Sequence, residues 1–235
     1  MCDSCGCGTP PVARTIDLNE RLLASNAAAA EHNRAHFARR GLFAINLMGA
    51  PGAGKTALLE ATIRATGRTQ AIAVIEGDQA TERDSARVRA AGAAALQVET
   101  GLGCHLDADQ IHRMLNRMQL KRGDWLFIEN VGNLVCPALF DLGEGLRVLV
   151  TTPTEGVDKP IKYPPMFRAA DLVVLNKVDL LNYVPFSLDE WMEYLGAVNP
   201  RAQIIRTSAL TGEGIDTWLA AVAKHALASP AGDSR

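Results

Sequence analysis

A glycine-rich octapeptide, GAPGAGKT at residues 49–56, separates an apolar run from a helical pattern. Residues 42–48 have the composition of a buried strand, and residues 54–66 have the periodicity of a helix. A glycine-rich loop between a strand and a helix turns backbone N–H groups inward, where they can cradle phosphate oxygens. The octapeptide therefore predicts an α/β fold with an anion-binding loop after its first strand.

Apolar runs and helical patterns alternate along the rest of the chain. Strands are predicted at 42–48, 70–75, 95–99, 125–129, 146–151, 172–176 and 203–206, and helices at 54–66, 81–91, 107–120, 187–196 and 214–227. The alternation predicts a three-layer α/β/α fold, in which a mostly parallel sheet of about seven strands is covered on both faces. We expect ligands to bind beyond the carboxyl ends of these strands.

Two segments precede this domain. The predicted organisation is a Cys-rich tail at 1–12, a helical segment at 13–41, a nucleotide-binding domain at 42–228 and a disordered C-terminus at 229–235. The helix is expected from about Leu18 to Arg40, with Asp17 and Glu20 as its capping box. The tail has no hydrophobic periodicity, so its cysteines are not expected to form a core.

Composition narrows the class of protein. The chain has 235 residues and a net charge of −2, which gives no reason to expect nucleic acid or an anionic membrane as partner. No apolar run approaches the ~20 residues of a membrane span, and the N-terminus lacks the features of a signal peptide. We therefore expect a cytoplasmic protein with reduced thiols. Five cysteines, an odd number, favour metal binding or redox chemistry over a disulfide framework.

The phosphate-loop pattern assigns roles to individual side chains. The positions predicted to contact nucleotide are Gly49, Ala50, Pro51, Gly52, Ala53, Gly54, Lys55, Thr56 and Ala57. Lys55 supplies a charge near the β- and γ-phosphates, and the Thr56 hydroxyl can ligate Mg²⁺. Asp78 and Glu129 follow predicted strands and are assigned to Mg²⁺ or to the attacking water. Lys55, Asp78 and Glu129 are thus the predicted catalytic residues, and Thr56, Asp78 and Glu129 the predicted magnesium ligands.

A second pattern resembles the guanine-specificity motif of GTPases. It is NKVD, in which Asn176, Lys177 and Asp179 are predicted to contact the base. A carboxylate at Asp179 can accept from guanine N1–H and from the exocyclic amine, a donor pair that adenine does not offer. Ser208, Ala209 and Leu210, in TSALTGEG, resemble the second guanine-contacting loop. We therefore expect GTP and GDP as ligands. No glutamine is placed to orient water, which predicts slow intrinsic hydrolysis.

Two sets of soft donors lie outside these motifs. Cys104, His105 and Cys136 follow predicted strands and offer two thiols and an imidazole to Ni²⁺ or Zn²⁺. Three donors leave a shell incomplete, so a second subunit or water would complete it. The alternative is a small buried Cys136 and a solvated His105. Cys2, Cys5 and Cys7 form the second set, and their thiolates with a nearby nitrogen would suit planar Ni(II).

Taken together, the motifs resemble the HypB family, the nickel-incorporation GTPases of hydrogenase maturation. The likeness covers nearly the whole chain and is carried most specifically by ENVGNLVCPALFDLGE and EGVDKPIKYPPMF. It implies a GTP hydrolase that dimerises with nucleotide and helps deliver nickel to the hydrogenase large subunit, with a HypA-like metallochaperone as partner. It also implies a switch-linked metal site at Cys104, His105 and Cys136 and a nickel site in the tail.

The resemblance leaves two further expectations open. Lys159 either reaches nucleotide across a dimer interface or is an ordinary surface lysine. The histidine-rich stretch of other family members is absent. His32 and His36 are spaced to share a helix face, an arrangement more typical of a solvated face than of a metal site.

Three alternatives are weighed against this interpretation. A nickel-storage protein with a vestigial GTPase would not need Lys55, Thr56 or Asp179. A phosphate-loop kinase would show no guanine preference. The urease accessory GTPases carry a Cys-Pro-His arrangement, whereas Cys136-Pro137 is followed here by Ala138.

Overall fold

Seven parallel strands form a single sheet. The computed structural model describes residues 11–67, 69–78, 83–100 and 103–229. The strands are β1 (Phe43–Met48), β2 (Ile72–Asp78), β3 (Ala94–Glu99), β4 (Trp125–Glu129), β5 (Leu146–Thr151), β6 (Leu172–Leu175) and β7 (Gln203–Arg206). Their order across the sheet is β3-β2-β4-β1-β5-β6-β7, and every neighbouring pair is parallel. The predicted fold class and strand number are confirmed.

Strand β1 lies at the centre and fixes where the loops emerge. All six of its residues are buried, as expected for a strand covered on both faces. Leu47 lies opposite Glu129 of β4, and Met48 lies opposite Leu149 of β5. The carboxyl ends of these strands therefore lie at the same edge of the sheet, and the loops that follow β1 and β4 begin side by side.

Helices cover both faces of the sheet. They are α1 (Pro11–Arg40), α2 (Lys55–Thr66), α3 (Arg83–Ala91), α4 (Ala108–Leu115), α5 (Lys159–Lys162), α6 (Pro164–Ala169), α7 (Leu188–Val198) and α8 (Ile215–Ala228). On one face, Leu58 of α2 and Trp218 of α8 belong to one apolar core. On the other, Phe37 of α1 and Ile111 of α4 form a second core, and Trp191 of α7 belongs to a third. In the described part of the chain, no helix is both long and apolar enough to cross a bilayer.

Helix α1 begins earlier than predicted. It starts at Pro11 instead of Leu18, so Asp17 lies inside the helix and is not its N-cap. Proline suits the first turn of a helix because its missing N–H would have no intrahelical partner there. The end of the helix is as predicted, with Arg40 as its last residue and Gly41 in the left-handed region at φ 61°.

Two buried asparagines attach α1 to the sheet domain. The Asn26 amide donates to the Asp141 carbonyl at 2.8 Å, and its oxygen accepts from the Ala108 N–H at 2.9 Å. The Asn33 amide donates to the carbonyls of Ala108 at 2.8 Å and Leu142 at 3.1 Å. Buried bonds of this kind are costly to leave unmade, so α1 is held as part of the α/β unit.

Other boundaries differ from the sequence prediction. Helix α4 ends at Leu115 and not at residue 120, because the chain turns at Asn116. Met118 and Leu120 then enter the core from the segment that follows this turn. Strand β2 continues to Asp78, three residues beyond its predicted end, because its pairing with β3 continues that far. Short 3₁₀ turns at 136–138, 153–155 and 178–183, and the helices α5 and α6, were not predicted.

Candidate nucleotide and metal site

The glycine-rich loop connects β1 to α2. Gly54 adopts φ 91°, and a Cβ there would approach the Asn176 amide nitrogen to 2.5 Å, so the position requires glycine. Lys55 is the first residue of α2 and is buried, with its Nζ 3.4 Å from the carbonyl oxygens of Gly49 and Ala50. The loop forms one wall of a cleft of about 430 Å³. Six of the nine predicted phosphate-loop residues, Pro51, Gly52, Gly54, Lys55, Thr56 and Ala57, line this cavity at the carboxyl edge of the sheet.

Glu129 faces Thr56 across this cleft. The Thr56 hydroxyl donates to Glu129 Oε1 at 2.8 Å, whereas Glu129 Oε2 is buried and has no hydrogen-bond partner within the described ranges. Burial raises the pKa of Glu129 to about 7, against the opposing effects of Lys55 and Thr56. Thr56 and Glu129, two of the three predicted magnesium ligands, are therefore adjacent. Asp78 ends β2, but its carboxylate lies outside the described part of the structure.

The cleft contains charged residues that sequence reasoning missed. Asp84 and Arg87, both on α3, line the cleft opposite the phosphate loop. The Arg87 guanidinium donates to the Glu60 carboxylate at 2.9 and 3.2 Å and to Asp84 at 2.9 Å. No motif marks these positions, because their place in the cleft depends on how α3 packs against α2.

Asn176 connects the phosphate loop to the predicted base-binding loops. It is buried, and its amide donates to the Ala53 carbonyl at 3.2 Å. Its side-chain oxygen accepts from the Ala209 N–H and from the Thr207 hydroxyl, both at 3.2 Å. The three segments predicted to surround a guanine nucleotide are therefore brought together by one amide side chain.

The neighbouring residues include a strained lysine and a buried acceptor. Lys177 has φ 59°, the only positive value for a non-glycine residue among the described positions, and its Nζ donates to the Gly52 carbonyl at 2.7 Å. Such backbone strain is concentrated at functional sites. Asp179 Oδ1 is buried and has no hydrogen-bond partner among the described positions. Ser208 is buried, whereas the side chain of Leu210 is 87% exposed.

Cys104, His105 and Cys136 converge at the same edge of the sheet. The two sulfur atoms are 2.9 Å apart, and Cys104 Sγ is 3.6 Å from His105 Nδ1. In the described ranges they are the only group of three or more His, Cys, Asp or Glu residues whose ligand atoms lie within 4.8 Å of one another. The His105 ring stacks on Phe140 with centroids 3.7 Å apart. We refer to these three residues as the Cys–His–Cys group.

The surroundings of this group are apolar and partly open. Burial and the neighbouring Cys104 thiol raise the pKa of Cys136, and burial lowers the pKa of His105. Both shifts favour the uncharged forms of Cys136 and His105. Val135 and Leu139, on either side of the 3₁₀ turn, are 52% and 55% exposed. Exposed apolar side chains therefore lie beside the half-buried donor set.

Two asparagines connect the Cys–His–Cys group to the nucleotide cleft. The Asn133 N–H donates to the Gly49 carbonyl at 3.1 Å, within an antiparallel bridge between the two residues, and its side chain donates to the Cys104 carbonyl at 3.3 Å. Asn130, the neighbour of Glu129 in the chain, accepts from the Leu106 N–H at 3.1 Å. Sequence analysis missed both, since an asparagine in a loop carries no signal of its partners.

The structure does not test the remaining predicted site residues, which are the tail cysteines and Lys159. The tail donors Cys2, Cys5 and Cys7 lie outside the described residues. Lys159 begins α5, and its Nζ lies 4.9 Å from the centre of the Tyr163 ring in the same chain. Its role towards a second subunit remains a prediction.

Comparison with known proteins gives a consistent result. The family described as CobW/HypB/UreG, nucleotide-binding domain, matches residues 43–206. The hydrogenase maturation factor HypB of Azotobacter vinelandii is 50% identical over 208 residues, which cover 88% of this chain and 69% of that protein.

Two solved structures are similar over most of their length. HypB from Archaeoglobus fulgidus is 41% identical, with a TM-score of 0.81, and the match covers 86% of this chain and 99% of that one. HypB from Helicobacter pylori, crystallised in complex with nickel, is 31% identical with a TM-score of 0.84, and the match covers 90% and 99%.

Proposed function

The chain belongs to the HypB hydrogenase maturation factors of the CobW/HypB/UreG family, and from this premise we propose that it is a GTP-hydrolysing metallochaperone. It binds nickel and assists its insertion into the active site of a nickel–iron hydrogenase. Nickel is its cargo, and GTP is its substrate. The observation that carries the proposal is the Asn133 bridge, which joins the phosphate loop to the Cys–His–Cys group.

The cleft has the groups that hydrolysis of GTP needs. Lys55 would neutralise charge on the β- and γ-phosphates, while backbone N–H groups of residues 49–56 hold their oxygens. Water attacks the γ-phosphorus, the bond to the bridging oxygen breaks, and GDP and phosphate are released. Thr56 and Glu129 fit Mg²⁺, because one offers a hydroxyl and the other a buried carboxylate oxygen without a partner. When bound, Mg²⁺ would stabilise negative charge between the two phosphates.

Guanine selection would depend on Asp179. Its buried Oδ1 has no partner among the residues that the structure describes, and a buried acceptor of this kind is costly unless a donor reaches it. Guanine N1–H and the exocyclic amine are suitable donors. Asn176 holds the surrounding loops in place through Ala53 and Ala209. This arrangement supports GTP over ATP and disfavours the kinase alternative.

The Cys–His–Cys group would hold the metal. Two thiolates and an imidazole suit Ni²⁺, and they also suit Zn²⁺. Three donors leave at least one coordination position, which a second copy of the chain would fill in a GTP-dependent homodimer. The exposed Val135 and Leu139 support such a contact at this edge. The tail thiols would form a separate nickel site, and a HypA-like metallochaperone and the hydrogenase large subunit would be the partners in transfer.

The Asn133 bridge would couple the two ligands. A γ-phosphate that draws the phosphate loop towards itself would move Gly49, and Asn133 would carry this movement to the Cys104 carbonyl. Coupling between sites is reciprocal, so nickel would alter nucleotide affinity by the same factor. The storage alternative, with its vestigial GTPase, predicts no such coupling.

The test is a nickel titration of the full chain with Cys2, Cys5 and Cys7 replaced by serine, in GDP and in a non-hydrolysable GTP analogue. We expect the two affinities to differ by at least about fivefold. Asn133→Ala should reduce this ratio towards one, whereas the exposed Asn116→Ala should leave it unchanged. Equal affinities in both nucleotides would refute the coupling, and turnover no higher than that of Lys55→Ala would favour storage.

A further inference from the structure

Three of the five histidines of the chain lie together between α1 and α4, away from the Cys–His–Cys group. His32 and His36 are one turn apart on α1, and His112 belongs to α4. The centroid of the His112 ring is 4.8 Å from that of His32 and 6.0 Å from that of His36, and both ring pairs are nearly perpendicular. The packing of α4 thus adds a third imidazole to the pair that the sequence shows on one helix face.

The packing of the three rings does not provide hydrogen bonds for all of their nitrogen atoms. His36 Nε2 and His112 Nδ1 are both buried, and neither has a hydrogen-bond partner in the part of the chain that the structure describes. A buried polar atom without a partner costs about 1–3 kcal/mol, so native proteins rarely keep two of them side by side. A metal ion bound to both nitrogen atoms would remove this cost.

We propose that His32, His36 and His112 form a second metal site of the folded domain, which binds a divalent transition-metal ion through three imidazoles. Ni²⁺ and Zn²⁺ are the ions of this class used as probes below. Histidines at positions i and i+4 of a helix lie on one face, as in other helical metal sites. His36 and His112 supply their buried nitrogen atoms. His32 is exposed, so its side chain can rotate towards these two nitrogen atoms. The Cys–His–Cys group needs no such rotation, because its ligand atoms already lie within 4.8 Å of one another.

The charges around the cluster define the class of ion. Burial and the charges of Arg40 and Arg39 lower the pKa of His36. The positive charges of these arginines weaken the binding of a cation that is held mainly by electrostatic attraction, as Mg²⁺ and Ca²⁺ are. Imidazole bonds directly to Ni²⁺, Zn²⁺ and Cu²⁺, so a site that relies on such bonds selects these ions.

The site would join the helix that follows the Cys–His–Cys group to the helix that follows the Cys-rich tail. Helix α4 begins at Ala108, three residues beyond His105, and α1 directly follows the Cys-rich tail. An ion shared by His112 and the α1 histidines would cross-link these helices. Because such an ion binds the folded chain and not the unfolded one, it would also raise the temperature of unfolding.

The experiment removes the thiol sites and asks what binding remains. The background is the full chain, purified without a polyhistidine tag, with serine at Cys2, Cys5, Cys7, Cys104 and Cys136. Ni²⁺, and separately Zn²⁺, is titrated by equilibrium dialysis and by the shift of the thermal unfolding midpoint. We expect saturable binding and an increase of the midpoint. His105 remains in every variant, so its contribution cancels.

Substitution of the cluster decides the proposal. His32→Gln, His36→Gln and His112→Gln together should abolish the remaining binding and the thermal shift. His225→Gln, a half-buried histidine on α8, is the matched control and should change neither. Binding that is as strong in the triple variant as in the cysteine-free background would overturn the proposal. If that variant fails to fold, His32→Gln decides, because His32 is exposed: an affinity weakened by about tenfold or more supports the site, and an unchanged affinity refutes it.

Discussion

The nucleotide cleft and the Cys–His–Cys group are neighbours, but only one of them is enclosed by its own chain. In the cleft, Lys55, Thr56 and Glu129 are 7%, 8% and 6% exposed. The three donors of the Cys–His–Cys group are half-buried beside exposed apolar side chains. Groups that are buried and oriented within one chain can act without help, whereas surface donors leave room for a further ligand. Nucleotide binding should therefore be a property of the single chain, and metal retention should depend on what covers the group.

The largest expected effect is on GTP turnover, and it tests whether the nucleotide cleft can be disabled without affecting the Cys–His–Cys group. Lys55→Ala removes the charge at the phosphates, and we expect GTP turnover, measured as phosphate release, to fall about 10²–10³-fold. Metal affinity of the nucleotide-free protein should be retained. Lys121→Ala, an exposed lysine, is the control. If Lys55→Ala also lost metal affinity without nucleotide, the two sites would not be separable.

The next largest expected effect is a loss of GTP affinity when base recognition is disturbed. Asp179→Asn replaces one acceptor of the carboxylate by a donor that faces the exocyclic amine of guanine, and we expect GTP affinity to fall about 10²-fold. Xanthosine triphosphate, which carries a carbonyl in place of the exocyclic amine, should bind the variant better than GTP does. Fluorescence titration measures both, and Asp189→Asn, on the exposed face of α7, should bind GTP normally. An unchanged GTP affinity would mean that the unpartnered oxygen of Asp179 does not face the base.

The third prediction concerns metal affinity at the Cys–His–Cys group. In the chain with serine at Cys2, Cys5 and Cys7, we expect Cys136→Ser to weaken Ni²⁺ binding at this group by at least about tenfold, because a thiolate donor is lost. Competition with a chromogenic chelator measures the affinity. Ala138→Ser, in the same turn, controls for the new hydroxyl. Undiminished affinity in Cys136→Ser would remove this residue from the donor set.

The smallest expected effect is the pH dependence of stability in the cleft. Burial raises the pKa of Glu129 from 4.5 to about 7. Between these values the folded chain retains a proton that the unfolded chain has lost, so this carboxyl makes the free energy of unfolding decrease as pH rises. Between pH 6 and 8 the decrease should be about 1 kcal/mol.

Urea unfolding without nucleotide measures this decrease. We expect it to be absent in Glu129→Gln and retained in Glu193→Gln, which changes an exposed carboxyl. The same slope in Glu129→Gln as in the unmodified chain would show that another group holds the proton.

The sequence predicts the enclosed site better than the open one. The phosphate loop, the base-contacting residues and the strands can be read locally, because each depends on a short pattern and on the two elements beside it. The Cys–His–Cys group follows from the expectation that loops after parallel strands emerge on one side. Its convergence to within 4.8 Å agrees with that expectation.

Contacts between distant segments could not be read in this way. Asn130, Asn133 and Arg87 act through partners that depend on strand order and helix packing, which no local pattern contains. His112 is such a case, since its approach to His32 depends on how α4 packs against α1. The start of α1 was misplaced for a different reason: Asp17 and Glu20 match a capping box locally, although the helix is already formed before them.

The bridge between Gly49 and Asn133 has a consequence for how such a protein can change over time. It is a backbone contact, so it fixes the positions of two loops and places no demand on the donor atoms that the second loop carries. A lineage could exchange Cys136 for another donor, and thereby acquire a different metal, without redesigning the way nucleotide turnover is transmitted. The phosphate loop and its bridge would then transmit nucleotide turnover in the same way, while a few replaceable side chains determine which metal is bound.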